Sequence, residues 1–124
     1  MKVRLTMPEN ASTTNYIVIN IRNHTLTLYR NGAIYKVYPV AVGKASTPTP
    51  KGIFYIKNKA LNPGGPFGAR WMGLSATGGS YGIHGTNNPS SIGKDISNGC
   101  VRMHNRDVIE LFPLVPVGTM VKII

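Results

Sequence analysis

The sequence predicts a mainly β domain carrying one short helix. Several runs alternate apolar and polar residues and are rich in β-branched side chains, the period-2 signature of strands with one buried face. The 14 Gly and 9 Pro break these runs at short intervals, and only one stretch has the start and stop signals of a helix. At 124 residues a single domain spanning 1–124 is expected, with 1–15 as a peripheral N-terminal segment.

Residues 2–7 (KVRLTM) alternate weakly and are read as a short first strand, followed by a loop, PENASTTN. Tyr16–Ile21 (YIVINI) is the clearest strand. Arg22, Asn23 and His24 form a turn, and TLTLYR (Thr25–Arg30) alternates again. Asn31-Gly32 then predicts a two-residue hairpin, because both central positions of a type I′ turn need positive φ. Ala33–Val42 returns as a long strand whose Pro39 belongs at an edge or a bulge. GKASTPTP (Gly43–Pro50) is a loop, GIFYIK (Gly52–Lys57) a strand, and NKALNPGGPFGAR (Asn58–Arg70) a long irregular loop of the kind that covers a site. Trp71–Leu74 and Tyr81–His84 are short strands. The helix runs from Asn105 to Leu111, with Asn105 as its cap, Asp107 in its first turn, and Pro113 and Pro116 beyond its end. Thr119–Ile124 is the last strand.

Chemistry concentrates between His84 and Met103, HGTNNPSSIGKDISNGCVRM. This stretch holds the single cysteine and one of three histidines. A lone Cys excludes an internal disulfide and leaves a buried apolar thiol, a redox thiol or a nucleophile. The surroundings favour the last: Gly99 allows close approach to the backbone, and Arg102 lies on the same strand face as Cys100. A nucleophilic thiol needs a base within hydrogen-bond reach, and His84, bared by Gly82 and Gly85, is the candidate. His104 is a weaker candidate and His24 an exposed turn residue. The paired ligand spacings of structural zinc are missing, so neither a metal nor another cofactor is expected.

The formal charge is +10, and the only acidic residues are Glu9, Asp95, Asp107 and Glu110. This balance points to an anionic partner. The lysines are dispersed and no aromatic-basic RNA motif occurs, so nucleic acid is not the expected one. The N-terminal residues lack the apolar run of a signal peptide, and the export route is not visible.

His84-Gly85, Ser97, Gly99, Cys100, Val101, Arg102 and Met103 together resemble the catalytic signature of the YkuD-type L,D-transpeptidases, bacterial enzymes of peptidoglycan cross-linking. The resemblance extends to VGKASTPTPKGIF (Val42–Phe54) and PFGARWMGL (Pro66–Leu74), and so covers the chain from about Tyr16 onward. It implies a small sandwich-like domain with Cys100 at the end of a cleft, acting as a monomer on peptidoglycan stem peptides in the cell wall, or spore-associated. Cys100 would attack the third residue of a tetrapeptide stem and release D-Ala. An acceptor amine would then take the acyl group to form a 3→3 cross-link, or water would take it in an L,D-carboxypeptidase reaction.

The resemblance also assigns roles. His84 is the base, oriented by the Gly85 carbonyl. The N–H groups around Asn98, Gly99 and Cys100 form the oxyanion hole. Arg102 binds a substrate carboxylate or braces the loop, Ser97 supports the loop, and Trp71 and Tyr81 contact substrate. One departure is Asn98, where many members carry His. Rival readings are a non-catalytic wall-binding module, which has no need of a His–Cys pair, and a papain-like peptidase, in which the Cys begins a helix.

Overall fold

A computed structural model describes residues 15–124. The strand expected at 2–7, its following loop and nearly all of the peripheral segment expected at 1–15 lie outside the described residues. Nine strands are present among those described: β1 (Asn15–Asn20), β2 (Thr25–Arg30), β3 (Ala33–Gly43), β4 (Gly52–Leu61), β5 (Arg70–Leu74), β6 (Gly82–His84), β7 (Asp95–Ser97), β8 (Val101–Met103) and β9 (Met120–Ile123). One α-helix, α1 (Asn105–Leu111), follows β8. The mainly β class with one short helix is therefore what the chain forms.

The strands are ordered β2-β1-β9-β4-β5-β6-β8-β3-β7, and β3 also pairs with β2, so the sheet closes on itself. Two strands make this possible by serving both halves. β3 pairs with β2 through Pro39 and with β8 at Val40 and Ala41, while β4 pairs with β9 from Gly52 to Tyr55 and with β5 from Ile56 to Leu61. The two layers of the expected sandwich are thus joined at their corners into a flattened barrel. In β4 the corner is a register shift between Ile56 and Asn58, where an unpaired residue bends the strand. From Ala33 to Pro39, β3 has β2 as its one partner, which makes Pro39 an edge residue.

Alternation sets which side chains enter the core. Ile17 and Ile19 of β1, Leu26 and Leu28 of β2, and Val121 and Ile123 of β9 point inward and meet Met72, Ile83, Val101 and Met103 from the other layer. Each side chain buried in this way stabilises the fold by about 1.5–3 kcal/mol relative to exposure. The hairpin at Asn31-Gly32 forms as expected, with φ of 53° and 81°.

Two local expectations differ, and one strand forms that no expectation covered. Asn58–Leu61 continue β4 instead of starting the loop, because β5 supplies pairing that no local pattern announces. Lys59 secures this extension by donating to the Phe112 carbonyl at 2.6 Å. Asp95–Ser97 form a short strand parallel to the end of β3. Helix α1 has the expected span, but His104 occupies the N-cap position without a side-chain hydrogen bond, and the Asn105 amide is directed elsewhere.

Candidate active site

The spacing of His84 and Cys100 follows from strand direction. β6 and β8 run parallel, with Ile83 beside Val101 and His84 beside Arg102. Parallel neighbours cannot be joined by a tight turn, since the chain must travel back the length of the strand, which takes about a dozen residues or more. The segment from Gly85 to Gly99 is that return. It delivers Cys100 beside Gly82, and because alternate residues share a face, Cys100, Arg102 and His84 project from the same side.

A cavity of about 160 Å³ is lined by Pro66, Phe67, His84, Ser97, Asn98, Cys100 and Arg102. Six of the residues selected from the sequence therefore surround it or adjoin it: His84, Ser97, Asn98, Cys100 and Arg102 line it, and Gly99 lies between two of them. Trp71 and Tyr81, expected to contact substrate, do not line it and instead touch residues that line or adjoin it. The indole stacks on the imidazole of His84, with ring centroids 5.7 Å apart, and donates to Asn58 Oδ1 at 3.1 Å. Tyr81 packs against Gly99, where an added Cβ would lie 2.7 Å from its ring. A larger cavity of about 340 Å³, lined by Thr86, Asn87, Pro89, His104, Asn105 and Arg106, contains neither His84 nor Cys100. His104 belongs there.

His84 is buried, and its Nδ1 lies 2.5 Å from the Gly85 carbonyl oxygen. A carbonyl only accepts, so Nδ1 carries the proton and Nε2 of the neutral ring is left with its lone pair. Burial lowers the His84 pKa below the ordinary 6.5 and outweighs the Gly85 carbonyl, which raises it; Arg102 lowers it further. Burial raises the Cys100 pKa above 9.0, opposed by the Gly82 N–H and by Arg102. Both shifts favour the uncharged forms. Cys100 Sγ lies 3.5 Å from the Ser80 carbonyl oxygen, to which the thiol form donates.

The turn before Cys100 is held by Ser97. Its hydroxyl donates to the Cys100 carbonyl at 2.6 Å and accepts from the Gly99 N–H at 3.0 Å. The Ser97 carbonyl in turn accepts from Thr47 Oγ1 at 2.8 Å and from the Lys44 N–H at 3.0 Å. Gly99 adopts φ 119°, which disfavours any side chain there. Phe67, on the 3-10 turn Gly65–Phe67 of the expected covering loop, packs edge-on against His84 with centroids 5.2 Å apart. Among the described residues no carboxylate forms a salt bridge with Arg102.

Sequence reasoning missed three neighbours of the cavity residues: Phe67 against His84, the Ser80 carbonyl at the thiol, and the side chain of Asn105. Each acts through a contact between segments far apart in the chain. The Gly-rich approach to Trp71 was a signal for the first, and none existed for the Ser80 carbonyl.

Comparison with known proteins gives a consistent result. Residues 14–123 match the model of the YkuD L,D-transpeptidase catalytic domain. The chain is 56% identical over 117 residues to the putative L,D-transpeptidase YkuD of Bacillus subtilis, covering 94% of this chain and 70% of that protein. It is 58% identical over 107 residues to the protein of the same name from Bacillus licheniformis, covering 86% of this chain and 64% of the relative. The solution structure of the catalytic domain from the E. faecium L,D-transpeptidase superposes with a TM-score of 0.76 at 28% identity, covering 89% of this chain and 96% of that one.

Proposed function

The chain belongs to the YkuD family of L,D-transpeptidase catalytic domains, and from that premise we propose that it cross-links peptidoglycan stem peptides through a thioester on Cys100. The observation that carries the reading is the single cavity shared by Cys100, His84 and Arg102, with His84 Nδ1 committed to the Gly85 carbonyl. That commitment leaves Nε2 to accept a proton.

In the first half-reaction Cys100 Sγ attacks the carbonyl carbon of the third stem residue while His84 Nε2 takes the thiol proton. The charge that develops on the carbonyl oxygen is met by backbone N–H groups of the Asn98–Cys100 turn. Since the Gly99 N–H is engaged by Ser97, the donors are those of Asn98 and Cys100, each worth about 3 kcal/mol in sites of this kind. The C–N bond to D-Ala breaks, the imidazolium gives its proton to the leaving nitrogen, and the thioester remains. In the second half-reaction an acceptor amine attacks, its proton passes to Nε2 and then to sulfur, and a 3→3 cross-link forms. The thioester retains enough of the donor bond's energy for the transfer to need no ATP.

Asn98 supplies its N–H whatever its side chain, so His at this position is not required for the oxyanion role. Arg102, which forms no salt bridge with a carboxylate among the described residues, takes a carboxylate of the stem. The substrate implies work outside the cytoplasm, in the wall, where the formal charge of +10 favours anionic polymers.

Incubation with a disaccharide tetrapeptide, followed by intact-protein mass, tests this directly. The wild-type protein is expected to gain an acyl adduct and release D-Ala, and Cys100→Ala to do neither. Turnover by Cys100→Ala would sink the mechanism. A product mixture rich in tripeptide, without dimer, would assign the protein to L,D-carboxypeptidase chemistry instead.

A further inference from the structure

Asn105 begins helix α1 but does not cap it. Its amide leaves the helix and grips two other segments. Oδ1 accepts from the Thr86 N–H at 3.1 Å and from the Ala69 N–H at 3.0 Å, and Nδ2 donates to the Thr86 carbonyl at 3.1 Å. The junction has no spare room. A Cβ on Gly85 would come 2.1 Å from Oδ1, and one on Gly68 would come 2.3 Å from the same oxygen.

The Thr86 N–H and the Gly85 carbonyl belong to one peptide unit. That unit is planar, with its N–H and C=O on opposite sides, so holding one fixes the direction of the other. The Gly85 carbonyl is the group that receives His84 Nδ1–H. The geometry points to Asn105 as a positioning residue that sets the tautomer of His84 through the Gly85–Thr86 peptide plane, without touching substrate.

Two physical effects follow from this arrangement. The first is orientation: with the plane pinned, the carbonyl cannot rotate away, so the proton stays on Nδ1 and Nε2 stays ready to accept. The second is polarisation, since an N–H engaged by an amide oxygen makes the carbonyl of the same unit a stronger acceptor. Ala69 adds a link to the covering loop, because the same Oδ1 holds the chain two residues beyond Phe67, whose ring packs on His84. One side chain thereby ties the base, its orienting carbonyl and the segment above it.

This inference rests on His84 acting as the base, and its test separates the two ideas. Imidazole nitrogen shifts are recorded for the substrate-free full chain labelled with 15N-histidine, in wild type, Asn105→Ala and Asn105→Asp. Wild type is expected to show His84 with its proton on Nδ1. In Asn105→Ala the signal is expected to move toward a mixture of tautomers, with kcat reduced about 10²-fold, the cost of a modest misplacement of a reacting group, and KM within about threefold. Asn105→Asp keeps both accepting contacts and loses the donation to the Thr86 carbonyl. It is expected to fall between the other two in tautomer and in kcat, and it decides the question should Asn105→Ala not fold.

A folded variant with wild-type imidazole shifts overturns the proposal, whatever its activity. If the protein proves inactive on stem peptides, the tautomer readout still stands alone: movement of the shifts supports the role of Asn105, and only the assigned reaction fails.

Discussion

The two layers of the barrel are built by different physics. The layer of β1, β2, β9 and the first halves of β3 and β4 consists of strands of four residues or more, regular in register between β1 and β2 and between β4 and β9, and shifted once, between Leu28 and Tyr29, where β2 meets β3. Its stability comes from inward side chains such as Ile17, Ile19, Leu26 and Leu28, all without exposed surface. The layer that carries the site contains β6 and β8, each of three residues. Such strands offer few ladder bonds, and side-chain contacts to the main chain complete them: Ser97 on Gly99 and Cys100, and Asn105 on Ala69 and Thr86. Non-directional burial makes a frame, whereas directed hydrogen bonds set the orientation of a few groups within it.

The sharpest way to separate the layers is to damage one and read the other. His84→Ala is expected to lower kcat by about 10²–10⁴-fold, the usual contribution of a positioned base, while thermal denaturation shows the barrel still folded. A collapse of the cooperative transition in this variant would mean that His84 is also a structural keystone. Leu28→Ala attacks the opposite layer. It is expected to cost about 2–5 kcal/mol of stability, read by urea denaturation, with kcat per folded molecule unchanged. A fall in kcat in the folded fraction would show that the layers are mechanically coupled.

The smallest effect is expected from pH. Burial holds the His84 pKa below 6.5, so its neutral form persists down to the folded value and the acid limb of kcat/KM lies under pH 6.5. The thiol is raised above 9.0, so alkylation by iodoacetamide without substrate is expected to accelerate only at alkaline pH. Rapid alkylation near pH 6 would instead identify a resting thiolate–imidazolium pair and reverse the resting charge state derived from burial.

The same contrast explains how far the chain could be read in advance. In the frame, Tyr16–Ile21 alternates and Asn31-Gly32 demands positive φ, so strand and hairpin are local properties. Lys59 is polar and follows no pattern, yet it lies in β4, because its strand is paired by β5 and its amine is anchored on Phe112. At the site, the identities and spacing of His84 and Cys100 were legible. The Gly99 N–H was expected to join the oxyanion hole, but it is already taken by Ser97. Sequence alone points to Asn105 as a cap, because that is what Asn offers its own helix. It serves Thr86 instead, an acceptor and donor pair brought beside it by the return from β6 to β8.

By itself the sequence determined the mainly β class, the regular strands and the span of the helix, and it nominated His84 and Cys100, on which the proposed thiol chemistry rests. These depend on periodicity and on side-chain type, which are encoded within a few neighbouring positions. Closure of the sheet, the corner in β4, the burial that favours uncharged His84 and Cys100, and the grip of Asn105 were decided only by the tertiary structure. Each depends on burial or on a hydrogen bond between segments far apart in the chain, and neither exists until the chain has folded.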